Sequence, residues 1–345
     1  MVAVLPPALV LVTGASGFIA AHVCKLLLER GYKVRGTVRS ASKGDYLVTL
    51  LSSPNFSYIV VPDIEAPGAF DEAVKGVDAV EHTASPFHAR AHDPQELIGP
   101  AVQGTKGVLE SVQKYNPAVK RIVVTSSVAS IMVPCELGTV FTEKDWNTYS
   151  PGCVEREGVN APNMEKYRAS KVLAERAAWD FVEKEKPGWD VVTVCPPMVF
   201  GPIIHQVNAV ESINTSVAAL HSAFTLHGQK TGADAGMASG NWVDVRDVAL
   251  VHVEGLSRPE AGGERYIASG GPFSWQMIYD SLHALGHVDG LDVEGLPKGT
   301  PGSDKETKYN VFSSKKAEQE LGVKFTPMGE SVRDTLLSLK GYGFH

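Results

Sequence analysis

Residues 8–20 read ALVLVTGASGFIA, and the fold follows from how this stretch is parsed. Ala8 to Thr13 is a short, unbroken apolar run, the pattern of a strand buried on both faces of a parallel sheet. Gly14 to Gly17 turn the chain. Phe18 to Arg30 then has helical apolar spacing and stops at Gly31. Gly14 permits a tight turn, Gly17 lets a ligand approach the backbone, and the third small position, Ala20, suits close packing of helix on strand. A glycine turn between a first strand and a first helix aims free N–H groups and the positive end of the helix at a pyrophosphate. The stretch therefore predicts a dinucleotide-binding unit.

The same strand–helix rhythm continues outward. Strands are expected at Lys33–Val38, Phe56–Val61, Ala79–His82, Arg121–Thr125 and Asp190–Cys195. Helices are expected at Ser40–Ser53, Ala69–Lys75, Ala101–Tyr115 and Glu165–Lys186. Alternation of this kind gives an α/β fold: a Rossmann-type, doubly wound parallel sheet with helices on both faces. After Pro196 the rhythm changes. Residues 228–240 are rich in Gly and Ala without periodicity, and read as a mobile loop. Val243–Gly255 and Arg265–Ala268 look like one more helix and strand, and 275–339 holds scattered helix patterns. A chain of 345 residues suggests about two domains. The expected division is a dinucleotide-binding domain, 1–200 and 241–270, and a smaller, discontinuous substrate-binding lobe, 201–240 and 271–345.

Composition narrows the function classes. The net charge of −7 and the lack of a basic run argue against nucleic acid as a partner. No apolar run approaches the ~20 residues of a membrane helix, and the first residues lack the basic flank and cleavage site of a secretion signal. Four scattered cysteines, Cys24, Cys135, Cys153 and Cys195, suggest neither a zinc site nor a disulfide framework. A cytoplasmic protein without a metal is expected. The sequence leaves monomer and homodimer both open.

The end of the second strand selects the cofactor. A carboxylate there would take the ribose hydroxyls of NAD, but residues 36–43 read GTVRSASK and hold no acid. Arg39 and Lys43 suit a 2′-phosphate, gripped by charge-assisted hydrogen bonds. NADPH is the expected cofactor. Asp63, after the third strand, is a candidate acceptor for the adenine amino group or else a helix cap.

Two further segments carry chemistry. The fifth strand ends in Thr125-Ser126-Ser127, and a helix forty residues on carries Tyr167-Arg168-Ala169-Ser170-Lys171. Tyr167 and Lys171 share a helix face. A neighbouring ammonium is expected to lower the phenol's pKa from ~10 toward neutrality, making a tuned acid for a developing alkoxide. A serine hydroxyl at the strand end can hold the carbonyl oxygen. Phe87, Val128, Met132, Met164 and Met198 would make an apolar pocket, which suits neutral aldehydes, ketones and ketoesters.

With these motifs in hand the chain resembles the extended short-chain dehydrogenases/reductases over nearly its whole length. The resemblance rests on TGASGFIA, HTASPF (82–87), TSS (125–127), YRASK (167–171), PPMVFGP (196–202) and WVDVRDVA (242–249). It is strongest to the fungal NADPH-dependent methylglyoxal/3-methylbutanal and carbonyl reductases, beside plant dihydroflavonol reductases. The resemblance implies that Ser127 orients the carbonyl, Tyr167 gives the proton, and Lys171 binds the nicotinamide ribose and feeds the proton chain. It implies a cofactor cleft formed by Gly14, Ser16, Gly17, Phe18 and Ile19, by Ile64 beside Asp63, by Thr83, Ala84 and Ser85, and by Thr125 and Ser126. Pro197 and Val199 would abut the nicotinamide. The implied activity is reduction of a small carbonyl substrate to one preferred alcohol enantiomer. Oxidation of a steroid- or flavonoid-like alcohol is an alternative, as is a non-catalytic NADP(H)-sensing module, although the latter would not need both Tyr167 and Lys171. Gln103 stands where relatives often carry Asn, so a relay water would be held differently. Val128-Ala129-Ser130 lacks the Asp-Glu pair of a dehydratase, and Gly240-Asn241 lacks the Arg of sugar-nucleotide enzymes.

Overall fold

The computed structural model describes residues 3–85, 91–225 and 227–344. The N-terminal strands and helices are β1 (Leu9–Thr13), α1 (Phe18–Glu29), β2 (Lys33–Val38), α2 (Ala41–Leu51), β3 (Phe56–Val60), β4 (Ala79–His82), α3 (Gln95–Tyr115) and β5 (Arg121–Thr125). A short β6 (Val140–Phe141) precedes α4 (Tyr149–Glu157), α5 (Asn163–Glu185), β7 (Asp190–Cys195) and β8 (Met198–Phe200). Then come α6 (Thr215–Ala223), α7 (Gly232–Gly236), β9 (Gly240–Asp244), α8 (Val245–Ser257), β10 (Arg265–Ile267), β11 (Gly271–Phe273) and α9 (Trp275–His283). β12 (Val311–Phe312), α10 (Lys315–Leu321) and α11 (Met328–Gly341) end the chain.

Seven strands form one sheet in the order β10-β7-β5-β4-β1-β2-β3, with every pairing parallel. Strand order reverses at β1, which pairs with β2 on one side and β4 on the other. In an open α/β sheet the crevice beyond the carboxyl ends of the strands at such a point is where ligands bind. A second sheet, β11-β9-β8, and the pair β12-β6 lie outside this sheet. No helix among the described residues is long and apolar enough to cross a membrane.

The largest apolar cluster includes Val10 and Val12 of β1, Val248 of α8, Phe273 of β11 and Leu339 of α11. The segments expected to form the second lobe thus share one core with the seven-stranded sheet. On the other sheet face a separate cluster packs Leu11, Val80, Ile122 and Val124 against Val108 and Val112 of α3.

Three sequence expectations change, and one helix, α4, was not expected. Residues 69–75 are a run of turns and not a helix, although Phe70, Ala73, Val74 and Val77 have helical spacing and are buried. Positive φ at Gly68 (72°) and Gly76 (70°) closes the segment at both ends before a helix can propagate. α3 starts six residues earlier than the expected Ala101 and carries Pro100 inside it. One missing N–H near the helix start is outweighed by burial of Leu97, Ile98 and Ala101. The Gly- and Ala-rich 228–240 segment is not wholly loop: α7 lies within it and β9 begins at Gly240. Its Gly236 packs directly on the Ser303 carbonyl, 2.1 Å from where a Cβ would stand. α4 was invisible to periodicity because Pro151 and Gly152 interrupt it.

Candidate active site

At the β1–α1 turn the backbone is positioned by three strand ends. Gly14 has φ 64°, and a Cβ there would stand 3.1 Å from the Ala84 backbone. The Gly14 N–H donates to Thr37 Oγ1 (3.0 Å) and the Ala15 N–H to the Thr37 carbonyl (2.8 Å). Thr13 Oγ1 accepts the N–H groups of Thr83 and Ala84, each at 3.1 Å. Gly36 is needed for close approach: a Cβ there would stand 2.7 Å from Ala15 Cβ. Helix α1 begins at Gly17 with no side-chain cap, so its first N–H groups are offered to a ligand.

These residues border a cleft of about 250 Å³, lined by Gly14, Ser16, Gly17, Thr37, Val38, Arg39, Lys43, Val61, Ile64, Thr83, Ala84 and Ser85. The uncapped helix start suits a pyrophosphate. Arg39 and Lys43 in the same wall suit a further phosphate, so the donor set fits a phosphorylated dinucleotide.

Ser85 joins the cleft to the expected catalytic group, since Lys171 Nζ donates to Ser85 Oγ at 3.0 Å. The Ser127 hydroxyl lies beside the Tyr167 phenol, close enough to act on its titration. Ser127 is fixed in turn: its Oγ donates to the Pro196 carbonyl (3.3 Å) and accepts the Ala129 N–H (3.1 Å). α5 places Tyr167 and Lys171 one turn apart, as their spacing predicts.

The expected acidity of Tyr167 is corrected. Burial raises its pKa above 10, and the nearby Ser127 hydroxyl offsets this only in part. Burial also brings Lys171 down to about 8. The ammonium is directed at Ser85, and desolvation of the phenol outweighs the help expected from it. Tyr167 therefore stays protonated at neutral pH, the form a proton donor needs. His82, buried beside this group, is lowered to about 3 by desolvation and then by the Lys171 charge, and is neutral.

The model of the NAD dependent epimerase/dehydratase family matches residues 10–268. The chain belongs to that family. It is an extended short-chain dehydrogenase/reductase, similar at 39% identity to the ketoreductase azaE of Aspergillus niger, over 96% of this chain and 97% of that protein. It is 35% identical to the NADPH-dependent methylglyoxal reductase GRE2 of Saccharomyces cerevisiae, over 94% and 96% of the two chains. Among solved structures, Gre2 of Candida albicans in complex with NADPH superposes with a TM-score of 0.84 at 34% identity, over 97% of this chain and 99% of that one.

Within this extended dehydrogenase/reductase fold, the other expected positions separate into groups. Asp63 is exposed and does not line the cleft. Its Oδ1 accepts the Glu65 N–H (2.9 Å), a turn-holding role, while Val61 and Ile64 form the wall there. The Thr125 and Ser126 side chains are engaged by the protein itself, Thr125 Oγ1 with His252 Nε2 (3.0 Å) and Ser126 Oγ with Glu175 (2.5 Å). Val199 is buried and its carbonyl accepts from Ser216 Oγ (2.5 Å). Pro197 sits between β7 and β8, one residue beyond the carbonyl that anchors Ser127.

The expected apolar pocket is not brought together as a whole. Val128 and Met132 lie one turn apart and pack on the cluster of Ile131, Phe141 and Phe312. Met198, in β8, packs on the main core. Met164, near the start of α5, is 53% exposed and turned to solvent. Phe87 lies outside the described residues. Gln103 is exposed. Thr105, two residues on, is the α3 residue that reaches the small cavity of about 10 Å³ behind Lys171.

Sequence reasoning missed Thr37, Val38 and Val61 in the cleft wall, and the buried Glu175 beside the serines. The first three were legible as strand-end positions. Glu175 was legible as the next residue on the Tyr167–Lys171 face, four further along.

Proposed function

We propose that this chain is an NADPH-dependent carbonyl reductase that converts neutral aldehydes, ketones or ketoesters to alcohols through Ser127, Tyr167 and Lys171. The observation that carries the reading is the Ser127 hydroxyl beside the Tyr167 phenol, with Lys171 one turn below and linked through Ser85 to a cleft that also holds Arg39 and Lys43. The names of the relatives, a ketoreductase and NADPH-dependent methylglyoxal reductases, support the same assignment.

Bound NADPH supplies the hydride. The chain's residues handle the oxygen. The Ser127 hydroxyl, held by the Ala129 N–H, turns its proton from the Pro196 carbonyl to the substrate and holds the carbonyl oxygen against the Tyr167 phenol. Tyr167 O–H gives its proton to that oxygen as negative charge develops. The Lys171 ammonium stabilises the phenolate left behind and serves the ribose side of the cleft. Arg39 and Lys43 hold the 2′-phosphate, and the start of α1 holds the pyrophosphate. Val128, Met132 and Met198 pack on two different clusters but stay partly exposed, and would offer the substrate apolar contacts without a charge to pair with a carboxylate. In this reading residues 1–200 and 241–270 bind the cofactor and 201–240 with 271–345 shape the substrate side, in a cytoplasmic protein whose cysteines stay reduced.

Tyr167→Phe tests the assignment. With NADPH and an activated ketone or dicarbonyl, the rate falls ~100-fold or more, while NADPH fluorescence titration still shows binding. Turnover within a few-fold of the parent would sink the proton-donor role.

A further inference from the structure

α5 presents a third polar residue on the face of Tyr167 and Lys171. Glu175 is 1% exposed, and its carboxylate is surrounded by donors. Oε2 accepts from Ser126 Oγ and Ser130 Oγ, each at 2.5 Å, and Oε1 from Thr193 Oγ1 (3.0 Å) and Arg265 Nε (2.7 Å). Ser126 and Ser130 flank Ser127 in sequence. Ser130 Oγ also reaches back to the Ser127 carbonyl at 2.8 Å. Burial alone would raise the Glu175 pKa, but Arg265 and the two serines hold it below the ordinary value, so the carboxylate stays charged.

Arg265 carries the same clamp to a second segment. Its Nη1 donates to the carbonyls of Glu143 (2.5 Å) and Asp145 (2.8 Å), and its guanidinium lies 3.8 Å from the centre of the Trp146 ring. The neighbouring Asn147 closes the loop onto the serine turn. Its N–H donates to the Ser130 carbonyl (2.8 Å) and its Nδ2 to the Ala129 carbonyl (2.9 Å).

We infer that the buried Glu175–Arg265 pair is a positioning device that fixes the Ser127 turn against the helix carrying Tyr167. Glu175 touches neither Ser127 Oγ nor the cleft of about 250 Å³. It acts through the hydroxyls on either side of Ser127 and the backbone they hold. A charged acceptor suits this task because the two serines, Thr193, Trp179 and Arg265 all donate to it, and charge-assisted hydrogen bonds hold geometry more firmly than neutral ones. The inference rests on the assignment of Ser127 and Tyr167 as the groups that handle the carbonyl oxygen.

The test compares Glu175→Gln, Ser130→Ala and Ser127→Ala in the full-length enzyme, with NADPH and an activated ketone. Glu175→Gln replaces an acceptor oxygen with an NH₂ facing other donors. It is expected to lower kcat ~10- to 100-fold, with NADPH affinity kept within twofold. Ser130→Ala leaves the ion pair in place and is expected to lower kcat three- to tenfold, with a melting temperature near the parent's. Should Glu175→Gln fail to fold, Ser130→Ala decides alone. A folded Glu175→Gln, or a Ser130→Ala, that keeps kcat within twofold while Ser127→Ala is inactive would overturn the positioning role. If Ser127→Ala also stays active, the failure lies in the catalytic assignment itself.

Discussion

Replacing Lys171 with Met makes the cofactor-free protein more stable at neutral pH while removing its activity. Lys171 is 9% exposed, and burial brings its pKa from 10.5 to about 8. Keeping the side chain charged in the fold then costs about 3 kcal/mol, at ~1.4 kcal/mol per tenfold change in proton affinity. Methionine has a similar length and no charge to desolvate. It forfeits the hydrogen bond to Ser85, worth about 1.5–3 kcal/mol for a charged donor. The net gain is about 0–2 kcal/mol at pH 7, a rise in melting temperature of up to roughly 3 °C. The pH dependence fixes the sign. Between about pH 8 and 10.5 the unfolded chain holds the lysine proton and the folded one has released it. The parent's stability therefore climbs through this window relative to the variant, and the gap closes. Thermal melts of both cofactor-free proteins from pH 7 to 10.5 measure this directly. A variant that melts below the parent at pH 7, or a gap that widens with rising pH, would refute the account of Lys171 as a charge held against its own desolvation.

Arg39→Asp places a carboxylate in the cleft wall where the 2′-phosphate is expected. Arg39 is exposed, so the lost contact is worth about 1–2 kcal/mol, and preference shifts roughly tenfold toward NADH; a parent that already favours NADH in steady-state assays contradicts the assignment. Gly36→Ala sets a Cβ 2.7 Å from Ala15 Cβ and 3.3 Å from the Phe56 ring. It is expected to destabilise by about 1–3 kcal/mol and to weaken NADPH binding by displacing the glycine turn. Denaturant unfolding and cofactor titration check both effects, and an unchanged NADPH affinity would show that the turn does not depend on this contact.

Local pattern alone was enough to lay out the sheet and to single out the candidate central groups. β2, β4, β5 and β7 run over the same residues that the sequence predicts, because short Val- and Ile-bearing segments between helices and turns mark the strands of an alternating α/β chain. The glycine turn and the Tyr167–Lys171 spacing are local, so they needed no knowledge of distant neighbours. Tertiary structure decided what depends on environment. Whether residues 69–75 form a helix was settled by the glycines and the packing around Phe70, not by apolar spacing. The pKa of Tyr167 rises where the sequence predicts a fall, because desolvation depends on what surrounds the phenol and not on the residue four positions along. Asp63 holds a turn while Val61 and Ile64 face the cleft, a choice made by the angle at which the strand ends. Glu175 and Arg265, ninety residues apart, meet only because β10 adds to the sheet beside β7. A buried carboxylate without its partner would be expensive, and no pattern in the α5 sequence shows where that partner comes from.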